Sequence, residues 1–336
     1  MKVKISLCLL VFGAISLFNF STAMAENCSA VDLTAEMGPI RNQGDIGWCY
    51  ANAAADLLSF RYKNELKGQQ VSALYTALLF NKRFYDDTFV SKVTNKINQT
   101  ALPIGGSIGL ALKTAIREGF CPRSKDDAFV SSGQRISLEK KLRLGLTLKE
   151  LYDQRKTKEL WRTVKAIRAS NSLLNEVSDN ELTKTLEIST HDTFLKNLAE
   201  LLCEGAKFNP KSESDVDIVV MPRTQRLGSL LFRKMDSELS LKRPVGVGYF
   251  ATIFDGFEKP IEKTSAHASV VVGREMRATS GSGTVQCHYK LRNSWGSGCN
   301  YKNPAFKGEG CEAGYLWVPK DQFKRYLYGV VSIQPD

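Results

Sequence analysis

The sequence predicts an α+β protein. Helical apolar spacing dominates up to about residue 207, and most β-branched and aromatic runs fall after about residue 215. Helices and strands are therefore segregated along the chain rather than alternating. A 43% hydrophobic and 24% charged composition over 336 residues is that of a globular chain of roughly two domains. It excludes collagen-like, disordered and coiled-coil proteins, and any small scaffold that needs disulfides in place of a core.

Residues 1–25 read as a secretory signal peptide. Lys2 and Lys4 precede an apolar stretch from Ile5 to Phe18, and Ala23-Met24-Ala25 has the small-x-small form of a cleavage site. The apolar run is short for a membrane span, and no later segment is long and apolar enough to be one. The expected mature chain starts near Glu26 and is exported, to a secreted, periplasmic or lysosome-like destination. Losing Lys2 and Lys4 takes the formal charge from +11 to +9. No basic run is joined to a nucleic-acid-binding motif, so no nucleic-acid partner is expected.

Residues 26–124 mix turns with helical spacing and form the expected first domain. Residues 125–207 are highly charged and almost free of Gly and Pro, the pattern of a helical insertion. Within them, 136–170 carry ten Lys/Arg against four Asp/Glu, and 171–204 carry two Lys against seven Asp/Glu. Solvated helical faces account for this, and a docking surface is the rival account. Residues 208–336 hold the strand signals at 217–220, 244–250, 269–272 and 315–318.

One segment carries chemistry: Gly38-Pro39-Ile40-Arg41-Asn42-Gln43-Gly44-Asp45-Ile46-Gly47-Trp48-Cys49-Tyr50-Ala51-Asn52. A glycine-rich turn delivers Cys49 to the start of a helix. The positive end of the helix dipole there favours the thiolate, which is the nucleophile. Gln43 lies six residues earlier, so its amide and the Cys49 N–H can form an oxyanion hole. A bare cysteine would more often be half of a disulfide or a small buried hydrophobe.

A thiolate also needs a general base. Of three histidines, His191 lies in the charged stretch and His288 on a strand, while His267 opens Ala266-His267-Ala268-Ser269-Val270-Val271-Val272 at the mouth of a buried strand. His267 is the expected base. Asn293, in Asn293-Ser294-Trp295-Gly296, offers a neutral amide to orient the imidazole, and Trp295 can cover that hydrogen bond.

In the order Gln43, Cys49, His267, Asn293, these motifs resemble the papain family of cysteine peptidases. Weaker echoes are Val71-Ser72-Ala73-Leu74, Gly105-Gly106, Glu118-Gly119-Phe120-Cys121-Pro122, Arg243-Pro244-Val245-Gly246-Val247 and Gly314-Tyr315-Leu316-Trp317-Val318. The likeness covers roughly the first and last 100 mature residues. It implies a two-lobe fold, with a helical left lobe carrying Gln43 and Cys49 and a β-barrel-like right lobe carrying His267 and Asn293. It also implies a polypeptide substrate held on the backbone of Gly105 and Gly106 with Trp295 nearby, hydrolysis through a thioester, and no cofactor or metal.

The chain departs from the family at Ile46 (usually Cys), Trp48 (usually small) and Tyr50 (usually Trp). The interval from His267 to Asn293 is long, and the insertion has no counterpart. Only a short stretch separates Glu26 from Cys49, so restraint by an N-terminal propeptide is not expected. A protein inhibitor or regulatory partner is the remaining route to restraint. Seven cysteines stay after Cys8 leaves with the signal, and an odd number in an oxidising compartment implies one free thiol and up to three disulfides. The pairs considered are Cys299 with Cys311, Cys121 with Cys203 and, by remainder, Cys28 with Cys287. Zinc is the competing use of cysteine, but no Cys-x-x-Cys pair occurs. Two rival functions stand beside hydrolysis: a catalytically silent papain-fold binding protein, and a thiol transpeptidase that passes the acyl group to an amine.

Overall fold

The valine-rich runs of the last third need partners for their backbone N–H and C=O groups, and they find them in one antiparallel sheet. The structure is a computed structural model. It describes residues 28–44, 47–86, 106–122, 207–210, 216–220, 228–257, 266–279, 283–334 and isolated positions between 178 and 203. The signal peptide and most of the insertion expected at 125–207 lie outside the described residues.

In chain order the elements are β1 (Val31–Asp32), α1 (Cys49–Arg61), α2 (Ala73–Asp86), α3 (Ile108–Glu118), β2 (Val216–Val220), α4 (Gly228–Ser240) and β3 (Val245–Phe250). Then follow β4 (Ala266–Ala278), β5 (Val285–Arg292), β6 (Cys311–Glu312), β7 (Tyr315–Pro319), α5 (Lys320–Tyr326) and β8 (Leu327–Ile333). The class is α+β. The sheet order is β2-β8-β3-β4-β5-β7-β6, with β1 added to β4. The end strands β2 and β6 do not pair with each other, so the sheet is open. This corrects the β-barrel-like sheet expected from the resemblance: β6 is only two residues long, too short to close a barrel against β2. Helices α4 and α5 also fall inside the stretch read as mainly β. Leu231, Phe232, Met235 and Leu239 already show the helical spacing of α4.

Helix α1 is buried nearly all round. Ala51, Ala53, Ala54 and Ala55 let it approach β4 and β3 on one side and α2 and α3 on the other. Such a helix can carry no exposed polar stripe, so its one carboxylate, Asp56, needs internal partners. It has two. Arg41 Nε donates to Asp56 Oδ1 at 2.7 Å, and Arg292 Nε donates to Oδ2 at 2.7 Å. Other guanidinium N–H groups go to Val71 O and Ser59 Oγ from Arg41, and to Asp56 Oδ1, Gly38 O, Pro39 O and the Tyr315 hydroxyl from Arg292. A buried Arg–Asp–Arg triad therefore ties the segment before α1, α1 itself and the end of β5 together.

Disulfides join Cys28 to Cys287, Cys121 to Cys203 and Cys299 to Cys311, the pairs considered above, and leave Cys49 as a thiol. Phe120 and Phe208 exchange two backbone hydrogen bonds of 2.9 Å, and both rings pack on Tyr62. The chain thus leaves after residue 122 and is back at residue 207 at nearly the same place. Among the described residues, no helix is long and apolar enough to cross a membrane.

Candidate active site

Cys49 is the first residue of α1, and Trp48 caps the helix without a side-chain hydrogen bond. Trp48 O accepts from Ala51 N and Asn52 N, which leaves the N–H groups of the first turn aimed outward. The N–H groups of Ala268, Tyr50 and Cys49 lie against the sulfur and pull its pKa down. Burial is the larger effect and pushes the thiol up. Ala268 follows His267, so β4 brings the histidine segment onto the helix start.

His267 and Asn293 meet across β4 and the end of β5. His267 Nε2 lies 2.9 Å from Asn293 Oδ1. The amide orientation is set at both ends: the Ser294 N–H donates to Oδ1 at 2.8 Å, and Nδ2 donates to the Tyr301 hydroxyl at 3.0 Å. Since Oδ1 can only accept, Nε2 carries the proton, and in the neutral ring Nδ1 is the basic nitrogen. Trp295 lies over the imidazole with ring centroids 4.8 Å apart, and Tyr249 and Phe254 meet it edge-on. Burial within this aromatic box lowers the His267 pKa to about 4, and the Asn293 hydrogen bond offsets only part of that. Burial thus pushes the thiol up and the imidazole down, each toward its neutral form.

Gln43 is held against the same turn. Its N–H donates to Ser294 O at 2.7 Å, and Ser294 Oγ donates to Gln43 Oε1 at 2.5 Å. Asn42 bridges Trp295, and the Gly296 N–H donates to Arg41 O at 2.8 Å. Two segments some 250 residues apart thus run antiparallel for three residues and place Gln43 beside Asn293. Within the turn, the Gly44 N–H donates to Asn42 Oδ1 at 2.9 Å. Asp45 and Ile46 lie outside the described residues.

Gly106 is exposed at the entry to α3. A Cβ there would sit 2.8 Å from the rings of both Tyr50 and Phe80, so only glycine allows this approach. Gly105 lies outside the described residues. Trp48 is half-buried against the core. His288 is buried on β5 and hydrogen-bonded to Gln286 O, away from this cluster. His191 lies outside the described residues. No group of His, Cys, Asp and Glu fit to hold a metal occurs among the described residues.

The structure therefore brings Gln43, Cys49, His267, Asn293 and Trp295 to one place. Sequence reading missed Ser294 as the partner of Gln43, Tyr301 and Ser269 as partners of Asn293, and Asp56 as the hub beneath them. Asp56 did leave a signal: a lone carboxylate inside Ala53-Ala54-Ala55-Asp56-Leu57-Leu58.

No family model matches the chain, and no curated protein matches it. Among solved structures, the chain is similar to that of PepW from Lactobacillus rhamnosis HN001, with 16% identity over 93% of this chain and 82% of that one and a TM-score of 0.47. A likeness of that size carries no argument about function.

Proposed function

We propose that this chain is an exported, papain-like cysteine peptidase with Cys49 as nucleophile, His267 as base and acid, Asn293 as orienter and Gln43 in the oxyanion hole. The observation that carries the reading is the buried His267–Asn293 pair, which leaves Nδ1 as the basic nitrogen on a strand whose next residue, Ala268, turns its N–H to Cys49, the one free thiol among the described cysteines. In this reading α1, α2 and α3 form one lobe and the sheet the other, with a polypeptide running past Gly106 and Trp295. Three disulfides fit a chain that matures in an oxidising compartment.

His267 Nδ1 takes the Cys49 proton, the resulting thiolate attacks the peptide carbonyl, and Gln43 with the Cys49 N–H receives the charge that develops on oxygen. The imidazolium of His267 protonates the leaving amine. The neutral ring then takes a proton from water, whose oxygen attacks the thioester and releases the acid. Asn293 Oδ1 holds Nε2–H through both steps. Neither metal nor organic cofactor has a part in this scheme.

A second reading has its own support. Cys49 and His267 are only 8% and 5% exposed, and burial pushes each toward its neutral form, as a silent binding protein of the same fold would allow. Labelling the mature protein with an epoxide that alkylates papain-type thiolates separates the two. One adduct on Cys49, lost in His267→Ala, together with peptide hydrolysis lost in Cys49→Ala, is the expected result. A folded protein that takes no adduct would put the binding protein ahead. Transfer to an added amine in preference to water would move the assignment to a transpeptidase.

A further inference from the structure

The Asn293 carbonyl is more heavily loaded than orientation of one imidazole requires. His267 and Ser269 are two apart on β4 and share a face of the sheet. Ser269 Oγ donates to Asn293 Oδ1 at 3.3 Å, and Tyr249 OH lies 2.9 Å from Ser269 Oγ. The Ser269 proton is spent on Oδ1, an atom that can only accept, so the Tyr249 hydroxyl donates to Ser269. Burial drives the Tyr249 phenol well above its usual pKa, so this donor stays protonated throughout. Tyr249, Ser269 and Asn293 are all at most 2% exposed, so no bulk water competes with the chain of bonds. Oδ1 then receives three donors, Nε2–H of His267, the Ser294 N–H and the Ser269 hydroxyl, on two lone pairs.

We propose that Ser269 and Tyr249 are positioning residues of this site: their hydroxyl relay draws on Asn293 Oδ1 and so weakens the hold of that oxygen on the charged imidazole of His267. The inference rests on the role of His267 proposed above. An orienter that bound the imidazolium at full strength would stabilise the charged ring and leave it a poor base for deacylation. A loaded Oδ1 keeps the tautomer and releases the proton more readily. The titratable groups around the ring are the Tyr249 phenol from β3, edge-on to it, the Tyr301 phenol, which reaches it through Asn293, and the Cys49 thiol from α1, which meets the N–H of the next residue, Ala268. Burial lowers the His267 pKa, and the Asn293 hydrogen bond raises it.

The test is an NMR titration of the His267 ring nitrogens in the full mature chain carrying Cys49→Ala, which removes the thiol from the titration. The ring signals are assigned by their loss in His267→Gln. Ser269→Ala frees one lone pair of Oδ1, so the midpoint is expected to rise by about half a pH unit, the worth of a modest hydrogen bond. Ser269→Thr keeps the hydroxyl and should titrate like the parent. Tyr249→Phe keeps the ring packing and should rise by less, in the same direction. A midpoint in Ser269→Ala that is unchanged or lower overturns the proposal. If Ser269→Ala does not fold, Tyr249→Phe against Ser269→Thr decides it on the same criterion. The titration needs no turnover, so it fails or succeeds independently of the epoxide labelling and hydrolysis that test the peptidase reading. In an active enzyme the alkaline limb of kcat/KM in Ser269→Ala should move up with the midpoint, with KM within twofold of the parent.

Discussion

Asp56→Asn should destabilise the protein more than most single changes. Asp56 takes hydrogen bonds from Arg41 Nε at 2.7 Å and from Arg292 Nε and Nη2 at 2.7 and 3.3 Å. All three residues are buried. Asparagine keeps one acceptor oxygen and loses the charge, so two guanidinium groups remain with no counter-ion. Removing one partner of a buried ion pair costs about 3–5 kcal/mol. The carbonyl groups of Val71, Gly38 and Pro39 still accept from the arginines, but neutral dipoles do not cancel two positive charges. Against a whole-domain stability of about 5–15 kcal/mol, the loss is a large fraction. The assay is urea unfolding with disulfides intact. With an m-value of about 3 kcal/mol/M, the midpoint should fall by about 1 M or more at unchanged m. Because Arg41 precedes Gln43 by two residues and Arg292 adjoins Asn293, Cys49 alkylation should slow as well. A loss below about 1 kcal/mol, with the same m and the same alkylation rate, would refute the triad as the tie beneath the site.

Gly314→Ala should cost about 2 kcal/mol or more, because φ is +84° and the new Cβ would lie 2.2 Å from Gly296 O, next to the Asn293 turn. Gly298→Ala has nothing within 4 Å and should stay within about 0.5 kcal/mol, so thermal melts of the pair isolate the clash from a general glycine effect. Stability should also rise with pH between about 4 and 6.5. His267 titrates near 4 when folded and near its ordinary value when unfolded, so in that window the unfolded chain binds more protons. The gain is about 3 kcal/mol for this group, and His267→Gln should flatten the slope without abolishing it, since burial lowers the His288 pKa too. Joining residue 122 to 207 through a short linker, with Cys121→Ser, should leave a folded protein with an intact sheet. Phe120 and Phe208 already hold the two ends together, and circular dichroism with Cys49 labelling checks the outcome.

The α+β class and the strands β3, β5 and β7 were legible in the chain, because a buried strand leaves an uninterrupted apolar run or a strict alternation. The start of α1 at Cys49 was legible too, since a glycine-rich turn gives way to an alanine-rich helix there. Gln43, Cys49, His267 and Asn293 could be singled out because each sits in a local pattern that restricts its chemistry. None of those patterns states a distance. Pairing between residues 41–43 and 294–296, the three donors on Asn293 Oδ1 and the Arg41–Asp56–Arg292 triad join segments more than 200 residues apart, or side chains whose role depends on which neighbours exclude water. The open sheet is of the same kind, because closure depends on whether the two end strands meet. Local sequence determined which groups could react. Only tertiary packing decided which nitrogen of His267 carries the proton and that the thiol is pushed up and the imidazole down, because both follow from burial and from hydrogen-bond partners far away along the chain.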